Sequence, residues 1–232
     1  MRSYITYNTL LRKGLEAFGF KRGNKMEFIL EKEFSSVTLL FSHTCFIPHT
    51  KDYTITVRIE YNNVKKIKTE GNFNLYISDG FSVDIGHIMG LKKPMYFRIA
   101  DSDNDMTEDK AVQDILYHVS TFAIPFITRY SNPFNLLLDY ESKSLPEYVF
   151  IHRCTLPLIY LSCGKQKEAL EVAQHALFDL KTRLLEKPAI TKDSYSKSNY
   201  SITTYHVKGL EIELYEEFCQ RLIEYTTMNH FD

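Results

Sequence analysis

The strongest constraint on the fold is a pair of alternating stretches, Val37 to Ile47 and Tyr53 to Tyr61. In the second, Tyr53, Ile55, Val57, Ile59 and Tyr61 take every other position, with Thr54, Thr56, Arg58 and Glu60 between them. Successive side chains of a strand point to opposite faces, so this is a strand with one apolar and one polar face. The first stretch sets Val37, Leu39, Phe41, His43, Cys45 and Ile47 in a matching row. With Pro48 to Asp52 as the connecting loop, Ile47 falls opposite Tyr53, His43 opposite Val57 and Leu39 opposite Tyr61. That register also faces Thr44 with Thr56, a favourable cross-strand pair. A slip of one residue would send the two apolar rows to opposite faces.

Around this pair the chain reads in order as helix, antiparallel meander, helix, and then helices. Tyr7, Leu11, Leu15 and Phe18 repeat at helical spacing over 3–18, and Gly19 stops that helix. Met26, Phe28 and Leu30 alternate with Glu27 and Glu31 in a first strand. Val64 to Lys68 is a small basic run, read as a solvated loop or lysine-guarded edge strand, or as a patch for an acidic partner. Phe73, Leu75 and Ile77 and then Phe81, Val83 and Ile85 predict a hairpin around Ser78-Asp79-Gly80. A three-residue loop with Gly80 left-handed puts all six on one face. Pro94 to Ala100 gives a last strand.

Asp105 and Glu108 resemble a capping box ahead of a helix carrying Val112, Ile115, Leu116, Val119 and Phe122, which Pro125 bends or ends. Asn132-Pro133 marks a break, and 134–143 is a short helix or a linker. Ser144 and Glu147 predict a capping box over a helix reaching Leu161, kinked at Pro157 and closed by Cys163-Gly164. A second helix covers about 165–186. The polar, serine-rich stretch Lys192 to Ser201 is the best candidate for a mobile loop. A final helix over about 204–226 aligns Val207, Leu210, Leu214, Phe218, Leu222 and Tyr225.

The 232 residues suffice for one large domain or two small ones. The division expected is an α+β domain over 1–135, with a mostly antiparallel sheet of five to seven strands and flanking helices, and a helical unit over 144–232 packed on it. Basic and acidic residues nearly balance, 28 against 29, so no global field favours nucleic acid or anionic membrane. Basic residues predominate in 1–68 and acidic ones in 69–114. Cys45, Cys154, Cys163 and Cys219 have no CxxC spacing. Few scattered cysteines, the lack of an apolar leader and the lack of a run of about 18 apolar residues together predict a cytoplasmic protein with reduced thiols.

Tests for chemistry return little. Asp101, Asp103 and Asp105 copy the opening of a calcium loop, but Met106 stands where glycine is needed and Val112 where a bidentate glutamate is needed. His43, Cys45 and His49 lack a second ligand pair for zinc. His43 reads as a core histidine, with a pocket acid or base as the alternative. Asp84 and His87 could pair, and Gly86 and Gly90 would let a ligand approach the backbone. No GxSxG, Walker A, GxGxxG or HExxH pattern occurs, and Glu108-x-Lys110 and Glu141-x-Lys143 do not fall on strands as a metal nuclease needs.

Two resemblances accompany this reading. Leu156, Tyr160, Gly164, Ala169, Leu170, Ala176 and Leu177 resemble a single tetratricopeptide hairpin over 156–177, from which Arg153, Pro157 and Gln166 depart. No second copy follows, so the resemblance implies a hairpin packed on neighbouring elements rather than a tandem peptide groove. Gly19-Phe20-Lys21 and Ile124-Pro125-Phe126 resemble an uncharacterised bacterial group of domains of unknown function, which implies an α+β fold and transfers no catalytic residues.

The function expected is a non-enzymatic cytoplasmic protein-binding or accessory module, immunity-like in character, with no cofactor and no metal. Its partner is expected to be another protein, with self-association as a further route and neither nucleic acid nor membrane involved. The candidate pocket or partner surface is His43, Arg58, Asp84 and His87. The alternative is an enzyme of unrecognised type with a pocket between sheet and helices.

Overall fold

The computed structural model describes residues 2–24, 26–44, 50–73, 78–100, 105–185, 190–197 and 200–229. The chain divides into two compact units. One comprises Met1–Lys65 and Ser78–Ile151, the other Lys66–Ile77 and His152–Asp232.

The first unit is α+β. Helix α1 (Arg2–Ala17) ends at Gly19, whose φ of +89° is the left-handed conformation that glycine adopts without strain. Strands β1 (Lys21–Arg22), β2 (Glu27–Glu31), β3 (Ser35–Thr44) and β4 (Thr50–Tyr61) follow as an antiparallel meander. Helix α2 (Asn62–Glu70) leaves the sheet, and β5 (Gly80–Asp84) returns to it. Short α3 (Ile85–Ile88) leads to β6 (Phe97–Ala100). The six-stranded sheet runs β1-β2-β3-β4-β5, with β6 also pairing β4, and every pairing is antiparallel.

The register of the central pair differs from the expected one by four residues. His43 meets Tyr53, Phe41 meets Ile55, Leu39 meets Val57 and Val37 meets Ile59. An even shift keeps both apolar rows on one face, so alternation specifies the face without specifying the register. Thr44 therefore pairs with Asp52 and not Thr56. Tyr53, Ile55, Val57, Ile59 and Tyr61 are all buried, as are Val37, Leu39, Phe41 and Phe28. Each such side chain contributes about 1.5–3 kcal/mol on leaving water.

Helices α4 (Asp105–His118), α5 (Ile124–Tyr130) and α6 (Pro133–Glu141) supply the other layer. Phe81 of β5 meets the rings of Phe126 and Tyr130 edge-on at 6.2 and 6.4 Å. Tyr61 donates its hydroxyl to the Tyr130 carbonyl at 2.8 Å. Pro125 neither ends nor breaks this run. A π-helical stretch, Val119–Ala123, separates α4 from α5, and Ile124 donates to the Val119 carbonyl five residues back. The widened turn leaves Pro125 in the first turn of α5, where a missing N–H is tolerated.

Several expected elements are replaced. The basic run is helix α2, with Val64 and Ile67 buried three residues apart and the lysines between them outward. Phe73 follows α2 and is in no strand, whereas Leu75 and Ile77 lie outside the described residues. Gly80 is not a left-handed turn residue. It sits in β5, where an added Cβ would lie 1.8 Å from the Ile59 carbonyl oxygen. Ser144 caps no helix, because 144–154 is non-helical and its hydroxyl faces the Asp139 carboxylate instead.

The second unit holds α7 (Thr155–Ser162) and α8 (Gln166–Leu185), joined through Gly164 at φ +74°. Strands β7 (Ile190–Lys197) and β8 (Tyr200–Val207) then form a separate two-stranded sheet, in place of the expected loop. Helix α9 (Lys208–Met228) closes the chain. Val207 belongs to β8 and Leu214 is exposed. The buried face of α9 is Tyr215, Phe218, Cys219, Leu222, Tyr225 and Thr226. Phe73 packs on Phe218 and Tyr225 at 5.5 and 6.0 Å. Two of the three residues that depart from the tetratricopeptide pattern tie the α7–α8 hairpin to α9. Arg153 pairs with Glu211 at 2.7 Å, and Gln166 donates to the Thr226 carbonyl at 3.0 Å. Helix α6, in the stretch read as a short helix or a linker, belongs to the first unit, where Asp139 bonds it to Arg129 of α5. Among the described residues no helix is long and apolar enough to cross a membrane.

The approach of β5 to β4 generates a prediction. Gly80→Ala places a methyl group against backbone that cannot swing aside, so it should cost more than about 2 kcal/mol. A urea titration should show the lower midpoint, and an unchanged midpoint would mean that β5 is not held at this spacing.

Candidate functional site

The sheet distributes the four sequence-predicted residues over different rows. The backbone of β3 places His43 opposite Tyr53, in the row that contains Phe41. Its side chain lies outside the described residues, as do Cys45 and His49. Arg58 pairs with Thr38 on one side and Ser82 on the other, and Asp84 pairs with Thr56. Arg58 and Asp84 therefore share the polar row, with Thr54, Thr56, Arg58 and Glu60 all half-buried and Ser82 exposed. That face is not a second dry core. At its end Asp52 is buried and accepts from Arg98 Nε and Nη2 at 2.8 and 3.1 Å, which fastens β6 to β4. The Arg98 hydrogen bond holds the Asp52 carboxyl below its usual range.

Asp84 has a structural task. Its Oδ1 accepts from the Gly86 N–H at 2.8 Å, capping α3, and from the Met95 N–H at 3.2 Å. His87 is half-buried in α3. The close neighbour of Gly86 is the chain itself, since an added Cβ would lie 2.6 Å from the Met95 nitrogen and 2.7 Å from the Lys93 oxygen.

Among the described residues no group of three or more His, Cys, Asp or Glu could hold a metal ion. Burial pushes the Cys154 thiol up to about 12 and that of Cys219 up to about 11, so neither is a ready nucleophile. The second unit has an open groove of about 520 Å³ between the end of α2 and α9. Its polar groups bond to one another. Arg221 donates to the Asn72 carbonyl at 2.9 Å and to Glu217 at 2.7 Å, Gln220 donates to Glu224 at 3.0 Å, and Tyr225 donates to Glu70 at 3.0 Å. The groove is thus a stitched seam, and burial together with the Glu70 bond pushes the Tyr225 phenol up to about 12.

The corner between α5 and α6 has a different character. Asn132 Oδ1 accepts from the Phe134 N–H at 3.0 Å, and Pro133 opens the helix, so the break in the sequence is a helix start. Leu136, Leu137 and Asp139 face inward. Asp139 is 4 % exposed and accepts from Arg129 Nε and Nη2 at 2.7 and 2.6 Å and from the Tyr130 hydroxyl at 2.8 Å. These bonds, that of Arg129 foremost, hold its carboxyl down at about 2, while burial raises the Tyr130 phenol to about 12. Arg129 keeps 55 % of its side chain exposed even though its guanidinium is fixed at two of its three nitrogens. On the outer side of α6, Phe134 is 48 % and Leu138 61 % exposed, one turn apart. Aromatic residues and arginine are enriched at protein interfaces, and side chains held in place beforehand lose less entropy on binding. The corner was missed in the sequence because Arg129 and Asp139 lie ten positions apart across a break. The only local signal was Phe134 and Leu138 at a spacing of one turn.

Asp139→Asn should destabilise the protein by about 2 kcal/mol, the scale of a hydrogen bond to a charged group. The carboxyl titrates lower when folded than when unfolded, so its contribution is complete above about pH 4 and is lost as the pH falls towards about 2. Denaturation midpoints of wild type and variant should therefore converge across that window. A constant gap would mean that the charge of Asp139 does not hold the corner.

Comparison finds that no protein-family model, no curated protein and no solved structure matches this chain.

Proposed function

We propose that the protein is a non-enzymatic, cytoplasmic protein-binding or accessory module whose binding surface is the α5–α6 corner. The observation that supports this reading is the exposed pair Phe134 and Leu138 on a helix bonded into place beside a fixed, half-exposed Arg129. Such a surface suits a protein partner offering an apolar recess next to a carboxylate. An immunity-like role is consistent with it, because occupying a partner needs no chemistry of its own. The enzymatic alternative has weaker support, since Asp84, one of its candidate pocket residues, accepts from two backbone amides.

Tagged wild-type protein and the double variant Phe134→Ala/Leu138→Ala are to be purified from the native host under identical conditions. Wild type should retain a stoichiometric protein that the variant loses, each truncation weakening the complex about tenfold or more. Both residues point away from the core, so the melting temperatures should agree. Absence of any stoichiometric partner, or its equal retention by the variant, would overturn the reading.

A further inference from the structure

The β7–β8 hairpin is built unlike the rest of the protein. Its strands pair along their whole length, from Ile190 opposite Val207 to Lys197 opposite Tyr200. Among the described residues no third strand joins them, and their contact with the rest of the chain is chiefly where β8 runs into α9. A lone two-stranded sheet is marginal in water and needs a further strand or a helix laid against it. Each strand of the hairpin also carries alternate N–H and C=O groups on its outer edge, ready to pair with another chain.

The two edges are not equivalent. Strand β7 carries Lys192, Asp193 and Lys197, the charged residues by which natural sheets keep an edge from pairing. Strand β8 reads Tyr-Ser-Ile-Thr-Thr-Tyr-His-Val, with no lysine, arginine or carboxylate, no proline and no glycine. Isoleucine, threonine, tyrosine and valine are the residues that favour a pleated strand. The edge of β8 is thus unguarded and strongly strand-forming.

We propose that β8 pairs edge to edge with β8 of a second copy, giving a four-stranded antiparallel sheet across a two-fold axis. The occupant follows from charge. A two-fold axis sets a strand against itself, which brings like charges together in a charged strand and none in β8. Centred on Thr203, the pairing puts Thr203 opposite Thr203 and Ile202 opposite Thr204, and threonine pairs of this kind are favourable across antiparallel strands. The contact is closed and isologous, the commonest way in which identical chains associate. The same pairing of β7 would instead carry its two lysines and its aspartate into the interface.

Sedimentation of the full chain from micromolar to near-millimolar concentration tests this, with Thr203→Lys on β8 and Ser194→Lys on β7 for comparison. Wild type should pass from monomer to dimer. Thr203→Lys, which sets like charges opposite each other at the axis, should weaken dimerisation about tenfold or more, and Ser194→Lys should leave it unchanged. A wild type that stays monomeric throughout overturns the proposal, as does weakening by Ser194→Lys equal to or greater than that by Thr203→Lys. Should Thr203→Lys fail to fold, hydrogen exchange on wild type decides. Protection of amides 200–207 that rises with protein concentration supports the pairing, and protection independent of concentration overturns it.

Discussion

The sheet depends on one strand having partners on both sides. Strand β4 pairs with β3 along nearly its whole length on one edge, and on the other with β6 at its start and β5 towards its end. Ile55, Val57 and Ile59 are fully buried as a result, and every strand from β3 to β6 takes its position from this one. Two side-chain facts make the double pairing work. Gly80 lets β5 approach the Ile59 carbonyl, and the Asp52–Arg98 ion pair fastens β6 to the other end. Neither contact is local in sequence.

The helical layer inherits its placement from the same strand. Tyr61, the last residue of β4, donates to the Tyr130 carbonyl at the end of α5, and Tyr130 in turn donates to Asp139 in α6. A chain of hydrogen bonds thus leads from the sheet centre to the α5–α6 corner. The corner's exposed side chains stand on that support. This is the arrangement expected of a binding surface, where rigid backing lowers the entropy lost when a partner is met. The π-helical stretch before Pro125 belongs to the same chain of causes. It lets one run of helix continue past a proline, so that Phe126 and Tyr130 still reach Phe81.

What the sequence disclosed, and what it concealed, follows from how far each signal reaches. Alternation of apolar residues is local, and the α+β class, the antiparallel sheet and the facing rows were all legible from it. Register is not local, and the central pair slid by an even number of residues without penalty to either row. Val64 and Ile67 stand at a helical spacing of three, which the three lysines around them mask. The sequence around Gly80 suggests a turn glycine, since nothing in it says that a carbonyl would press on that position. Ser144 looked like a helix cap until the buried carboxylate of Asp139 took its hydroxyl. The serines of 192–201 point to a loop because serine is common in turns, whereas the threonine, tyrosine and isoleucine beside them favour the strand that forms. Of the candidate residues, Asp84 has main-chain amides as its partners, two and eleven residues further along the chain.

The two proposed surfaces divide the labour of recognition along physical lines. At the α5–α6 corner the groups offered are side chains, and an interface of that kind discriminates by shape and by the partner's charge opposite Arg129. At the β8 edge the groups offered are backbone amides and carbonyls, which are the same in every protein. Selectivity there has to come from what the strand leaves out, namely charge, and from symmetry, which makes the chain its own best match. The surfaces also differ in what they ask of the fold. The corner is cross-braced by a buried carboxylate and loses its shape only if that brace is lost. The hairpin is a lone two-stranded sheet among the described residues, so its stability and its pairing would be a single equilibrium, with each strand added making the others more secure. A surface of the first kind persists whether or not a partner is present, whereas one of the second kind would be completed by the partner itself.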